Sequence, residues 1–304
     1  MTRNLPDAMS RKMFSFRAFQ TAVGVMALMA PVMVETDLVS PAQAGSATSW
    51  TSQLHASTRL IADTAPWRDQ QKALVAGIHI KLDKGWKTYW RYPGDSGFPP
   101  RFDWSGSGNL KSAQLLWPAP KRFPDSAGIS IGYKNEVVFP VLIEPVTAGQ
   151  PIDLKLKMEF AVCADICIPA EADLQLKVGK DGFFSSSSAP LLSRYLIRGP
   201  GKQTPGSRTG LGVARTQSQL TGAAPYLTVD ALFPGGAQGA DLFIEGPEGF
   251  YLAPAEHVGK RSDGTLRFKV DLTKGDDPKD LKGKTLTLTL VSNAAQAETT
   301  WHIE

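Results

Sequence analysis

Residues 154–178 read LKLKMEFAVCADICIPAEADLQLKV. Leu154, Leu156, Met158, Phe160 and Val162 alternate with Lys155, Lys157, Glu159, Ala161 and Cys163. This period of two places successive side chains on opposite faces of a strand. Leu174, Leu176 and Val178 resume the alternation, and Cys167 shares the parity of Glu171, Asp173 and Gln175. Both cysteines therefore fall off the core-facing side. Ala164, Asp165 and Ile166 lie between them, enough for a hairpin loop. The spacing predicts an antiparallel hairpin with the cysteines opposed at its mouth. Cα atoms about 4.5–5.5 Å apart at such a position are within disulfide range.

The same grammar extends outward. Ala73 to Leu82 alternates, Trp86 to Tyr92 is aromatic-rich, and Pro93-Gly94-Asp95-Ser96-Gly97 closes it as a turn. Ala113 to Trp117 and Val137 to Ile143 read as further strands. Short strands separated by frequent turns predict an Ig-like β-sandwich over residues 45–180. Residues 181–208, with the serine run Ser185 to Ser188, read as a linker in which Pro190 to Ile197 forms one short helix. Residues 209–304 repeat the strand pattern at Tyr226 to Phe233, Ala240 to Ile244, Phe250 to Ala253, Leu266 to Leu272, Thr285 to Val291 and Thr299 to Ile303. The fold class expected is all-β: two Ig-like sandwich domains after a signal peptide.

That signal peptide is read over residues 1–44. Arg11, Lys12 and Arg17 precede an apolar stretch from Thr21 to Val34, and Ala42-Gln43-Ala44 supplies small residues for cleavage. The stretch is interrupted by Pro31 and is short for a membrane span, which takes about 20 residues. The mature chain is thus expected to be exported and soluble, in the periplasm. Across the full chain 33 Lys and Arg are interspersed with 29 Asp and Glu, so no basic track points to nucleic acid.

The chain has two cysteines, and export makes them a disulfide unless something reduces it. A bridge closing so short a loop stabilises by about 2 kcal/mol in the chain-entropy model, less than a long-range staple would. Exposed at a hairpin mouth, it is open to attack by another protein's thiolate. From the residues, three uses remain: thiol-disulfide exchange, a structural bridge, or capture of a soft ion such as Cu(I). Met158 points to the opposite face and does not suit a third copper ligand.

The run Phe160-Ala161-Val162-Cys163-Ala164-Asp165-Ile166-Cys167-Ile168-Pro169 is similar to the cysteine hairpin of the DsbD N-terminal domain family, in its ScsB-like branch. Gly85 to Trp90, Pro93 to Pro100, Trp117 to Pro120 and Gly132 to Val137 resemble further landmarks of that branch in the same order, so the likeness covers about residues 50–180. The resemblance implies an Ig-like domain that relays electrons from an integral-membrane thiol reductase to periplasmic thioredoxin-like or other disulfide-carrying proteins. It implies settings such as cytochrome c biogenesis or copper tolerance, with no cofactor and no metal. Its redox cysteines correspond to Cys163 and Cys167. Its cap loop, which shields the pair with an aromatic side chain, corresponds to the loop after Trp90, with Phe98 as the candidate; packing under a proline turn is the plainer use of that ring. The sequence departs from DsbD in the shorter cysteine spacing. It also lacks the membrane segment and thioredoxin-like domain of the full reductase, so the electron donor is expected to be a separate protein.

Other signals are weaker. Gly94-Asp95-Ser96-Gly97 matches a serine-protease nucleophile motif, but His55 and His79 lie too close upstream and no histidine follows before His257. The four histidines show no metal-ligand spacing, and His79, off the apolar parity of its strand, is expected to be exposed.

Overall fold

The computed structural model describes residues 46–67, 71–125, 128–179, 187–197, 201–202, 210–293 and 295–304. The expected signal peptide and most of the expected linker lie outside these residues.

Among the described residues, eleven strands precede the helix. The first five are β1 (Thr51–Gln53), β2 (Ala56–Trp67), β3 (Gln71–Leu82), β4 (Lys87–Gly94) and β5 (Arg101–Asp103). They are followed by β6 (Leu110–Leu115), β7 (Lys121–Asp125), β8 (Gly128–Lys134), β9 (Glu136–Pro145), β10 (Ile152–Cys163) and β11 (Cys167–Val178). One sheet runs β1-β2-β3-β9-β6; the other runs β11-β10-β4-β8-β7, with β5 joined to β10. Their inner faces meet in one core. Leu60, Ile78, Ile80, Val137 and Phe139 come from the first sheet, and Trp90, Leu154, Leu156, Phe160 and Val162 from the second. Each such side chain contributes about 1.5–3 kcal/mol when fully buried.

Helix α1 (Ala189–Ile197) lies on the outside of the first sheet, where Leu192 and Leu196 pack on Ile61, Val75 and Val138. A Cβ at Gly77 would come within 2.6 Å of Leu192, so the glycine permits this close approach. One expectation on this outer face is corrected. His79 is 1% exposed, not on the surface, because the face opposite the apolar parity of β3 is also covered. Its Nδ1 accepts from Arg59 Nε at 3.1 Å, its Nε2 lies 2.7 Å from Glu136 Oε1, and its ring packs edge-on against Trp50. Burial, ahead of the opposing bond to Glu136, lowers its pKa and favours the neutral ring.

The remaining strands are β12 (Gly201–Lys202), β13 (Gly212–Gln219), β14 (Tyr226–Leu232), β15 (Asp241–Glu245), β16 (Glu256–Lys260), β17 (Leu266–Asp271), β18 (Thr285–Val291) and β19 (Gln296–His302). They form the sheets β12-β19-β18-β15 and β13-β14-β17-β16. Leu227, Val229, Leu242, Phe268, Val270, Leu286 and Leu288 fill the space between. The molecule is all-β and Ig-like, as expected, with α1 and one 3-10 turn as its helices among the described residues. Phe250–Ala253 is a correction: it is not a strand. Pro247 and Gly249 before it make a turn closed by the Phe250 amide, Pro254 follows, and Leu252 keeps a single bridge to Gly275. Strands β1, β2, β5, β7, β8, β12, β13 and β16 have no counterpart in the sequence reading.

Candidate functional site

β10 and β11 pair in register from Ile152↔Val178 to Cys163↔Cys167, so the alternating apolar residues bring the two cysteines face to face. They are disulfide-bonded, with Cα atoms 4.2 Å apart. The loop Ala164-Asp165-Ile166 closes with the Ala164 amide donating to the Ile166 carbonyl. The two sulfurs have unequal surroundings. Cys163 is 1% exposed, in a small cluster with Tyr89 and Ala161 outside the main core, whereas Cys167 is exposed. Placement off the core face is as the parity implied, but the face is not open throughout. β4 lies beside the end of β10, pairing Val162 with Thr88 and Cys163 with Lys87, and it covers the first cysteine.

Tyr89 projects from that strand. Its hydroxyl donates to Cys163 Sγ at 2.9 Å and lies 3.2 Å from Cys167 Sγ, touching both ends of the bridge. Burial, with the charge of Asp125 second, raises its pKa above the ordinary value of 10.0, so the hydroxyl keeps its proton at neutral pH. Lys87, opposite Cys163, is buried, and its ammonium is committed elsewhere, to Asp125 Oδ2 at 2.5 Å and Ser130 Oγ at 2.6 Å.

The loop after β4 lies against Tyr89. A Cβ at Gly97 would stand 2.2 Å from the Tyr89 ring, and the φ of +133° is one that glycine tolerates. Asp95 pins the loop to β8: its amide donates to the Ile129 carbonyl at 3.0 Å, and its Oδ2 accepts from the Ile129 amide at 2.6 Å. These bonds make Gly94-Asp95-Ser96-Gly97 a turn, not a nucleophile motif. Phe98 is 41% exposed, and the guanidinium carbon of Arg101 sits 5.5 Å from its ring centre.

Residues 57–179 match the family model described as thiol:disulfide interchange protein DsbD, N-terminal. They belong to the DsbD N-terminal family. The pair Cys163–Cys167, Tyr89 and the Asp95–Phe98 loop all lie inside this DsbD N-terminal domain. Residues 203–304 match a second model, described as a domain of unknown function (DUF8393). No curated protein matches the chain in sequence. In fold it is similar to the N-terminal periplasmic domain of ScsB from Proteus mirabilis, with a TM-score of 0.65 and 20% identity, covering 86% of this chain and 99% of that one.

The DsbD N-terminal domain is gripped by the second sandwich through the strand that carries Tyr89. Arg91 Nε and a terminal nitrogen bond both oxygens of Glu245 at 2.7 and 2.6 Å, and the same nitrogen meets Glu298 at 2.5 Å. Tyr92 Oη donates to the Leu252 carbonyl and accepts from its amide. Arg122 holds Asp241, and Phe243 packs edge-on against Trp90. Met158 is buried in the main core on the face opposite the cysteines. Among the described residues, no group of three His, Cys, Asp or Glu could hold a metal ion. No described helix is long and apolar enough to cross a membrane.

Tyr89 and Lys87 are the site residues that sequence reasoning did not single out. The available signal is their place in the run Trp86–Tyr92, which reads as an aromatic-rich strand and whose Gly85–Trp90 part resembles a landmark of the family, without marking either residue as a partner of the cysteines.

Proposed function

We propose that the chain is a periplasmic thiol-disulfide exchange module acting through Cys163 and Cys167. In this reading it takes electrons from a membrane thiol reductase and passes them to thioredoxin-like or other disulfide-bearing proteins. The observation that carries the reading is the asymmetry of the bridge: an exposed Cys167, a buried Cys163, and one tyrosine hydroxyl touching both sulfurs. A bridge kept only for stability gains little from closing so short a loop.

The unequal accessibility supports one division of roles. A donor thiolate attacks Cys167 Sγ; the internal S–S bond breaks and Cys163 leaves as a thiolate, accepting a hydrogen bond from Tyr89. The donor's second thiolate then attacks its own sulfur in the mixed disulfide. It leaves oxidised, and the pair has gained two electrons and, with solvent protons, two hydrogens. Discharge is the reverse: Cys167 attacks an acceptor disulfide, Cys163 attacks Cys167 Sγ, and the acceptor departs as a dithiol. Ile166, 66% exposed beside Cys167, offers an apolar rim to either partner.

Two single substitutions test this. With Cys163→Ser the reachable thiol remains, and the variant should trap a mixed disulfide with an oxidised thioredoxin-like protein. With Cys167→Ser it should trap none. A bridge whose reduction potential lies below about −300 mV, resistant to the glutathione pool, would instead mark a structural disulfide and end the proposal.

A further inference from the structure

The second sandwich reaches beyond the strand framework of the DsbD N-terminal domain at one point. Tyr251 Oη donates to Asp95 Oδ1, while the other oxygen of that carboxylate is held by the Ile129 amide. Two residues further on, Gly97 lies against the ring of Tyr89, whose hydroxyl touches both sulfurs. A continuous line of contacts thus runs from the second sandwich through the loop to the disulfide.

The donor end of this line is stiff. The Tyr251 amide donates to Asp276 Oδ2 at 2.7 Å, Leu252 bridges Gly275, and the amide and carbonyl of Leu252 bracket the Tyr92 hydroxyl at 2.6 and 3.0 Å. Tyr251 and Leu252 therefore straddle residues 92–95, one gripping the end of β4 and the other the loop. Burial, then the bond to Asp95, raises the Tyr251 pKa, which keeps the donor proton in place. Arg91, Tyr92, Arg122 and Phe243 already join the two sandwiches, so the Tyr251 bond is not needed to hold them together.

We propose that Tyr251 is a positioning residue: the second sandwich holds the loop at residues 94–98 closed against Tyr89 through the Tyr251–Asp95 bond, and so sets how readily Cys167 is attacked. This deepens the exchange reading, since it gives the second domain a role at the same disulfide. It is tested without any biological partner, so the two can fail separately.

In the full chain, Tyr251→Phe removes one hydroxyl and keeps the ring. Reduction of the disulfide by dithiothreitol should become several-fold faster, and hydrogen exchange should quicken in the 94–98 segment and at the Ile129 amide. Arg122→Gln is the comparison. It loosens the contact with Asp241 away from the loop, and should lower stability with the reduction rate and loop exchange unchanged. A Tyr251→Phe rate within twofold of the parent overturns the proposal, including the case where neither protein is reduced. So does an equal acceleration in Arg122→Gln, which would mean general loosening. Failure of the Cys163→Ser trap, by contrast, would strike the exchange reading and leave these rates readable.

Discussion

A hydroxyl that touches both ends of a disulfide plays different parts in its two redox states. While the bridge is intact, Tyr89 makes weak bonds to neutral sulfur; once it opens, the same hydroxyl faces a thiolate at Cys163. A hydrogen bond to a charged group contributes about 1.5–3 kcal/mol, and about 1.4 kcal/mol is a tenfold change in rate. Tyr89→Phe should therefore raise the pKa of Cys163 in the reduced protein and slow reduction of the bridge about tenfold at neutral pH. Alkylation against pH and dithiothreitol kinetics measure the two effects. Stability should fall by only about 1 kcal/mol, since the ring still packs beneath Gly97. Unchanged kinetics would leave Tyr89 a packing residue.

At the scale of elements, the hairpin and the loop beside it carry the site. Opening the disulfide should cost about 2 kcal/mol in urea and leave the β10–β11 register intact, because Leu154, Leu156, Phe160, Leu174 and Leu176 hold it from the core side. Gly97→Ala should displace the loop: the new Cβ would sit 2.2 Å from the Tyr89 ring, at a φ of +133°. We expect a loss of about 1–3 kcal/mol, as for other overpacking changes, together with faster reduction of the bridge. The hairpin was legible because its alternation is strict and its loop short, so parity and register followed from the residues. β2 was not, since Arg59, Asp63 and Thr64 interrupt its apolar residues; the structure buries Leu60 and Ala62 on one face and Ile61 and Ala65 under α1 on the other. His79 misled for a related reason: its face of β3 is also covered, with Trp50 packed on the ring and Arg59 and Glu136 at its two nitrogens. Cys163, Cys167 and the loop carrying Phe98 could be picked out by motif. Tyr251 on Asp95 could not, because 156 positions separate them and nothing local marks either as a partner.

At the scale of the whole molecule, the two sandwiches share partly buried charge. Arg91→Ala would strand the carboxylates of Glu245 and Glu298, each less than a quarter exposed. The cost should be about 2–3 kcal/mol, below the range for fully buried pairs, and denaturant unfolding should begin to separate into two steps. Alkaline pH acts more broadly. Burial raises the pKa of Tyr92 to about 12 and that of Tyr133 well above its usual value. The unfolded chain releases these protons near pH 10, whereas the folded chain retains them, so stability is full below about pH 10 and falls as pH rises toward 12. A urea midpoint that stays level from pH 9 to 11.5 would contradict this. The unequal exposure of the two sulfurs also constrains traffic through the proposed module. With one sulfur reachable from outside, donor and acceptor must take turns on the same atom. Turnover should then follow ping-pong kinetics, and an excess of either partner should inhibit by occupying the berth the other needs.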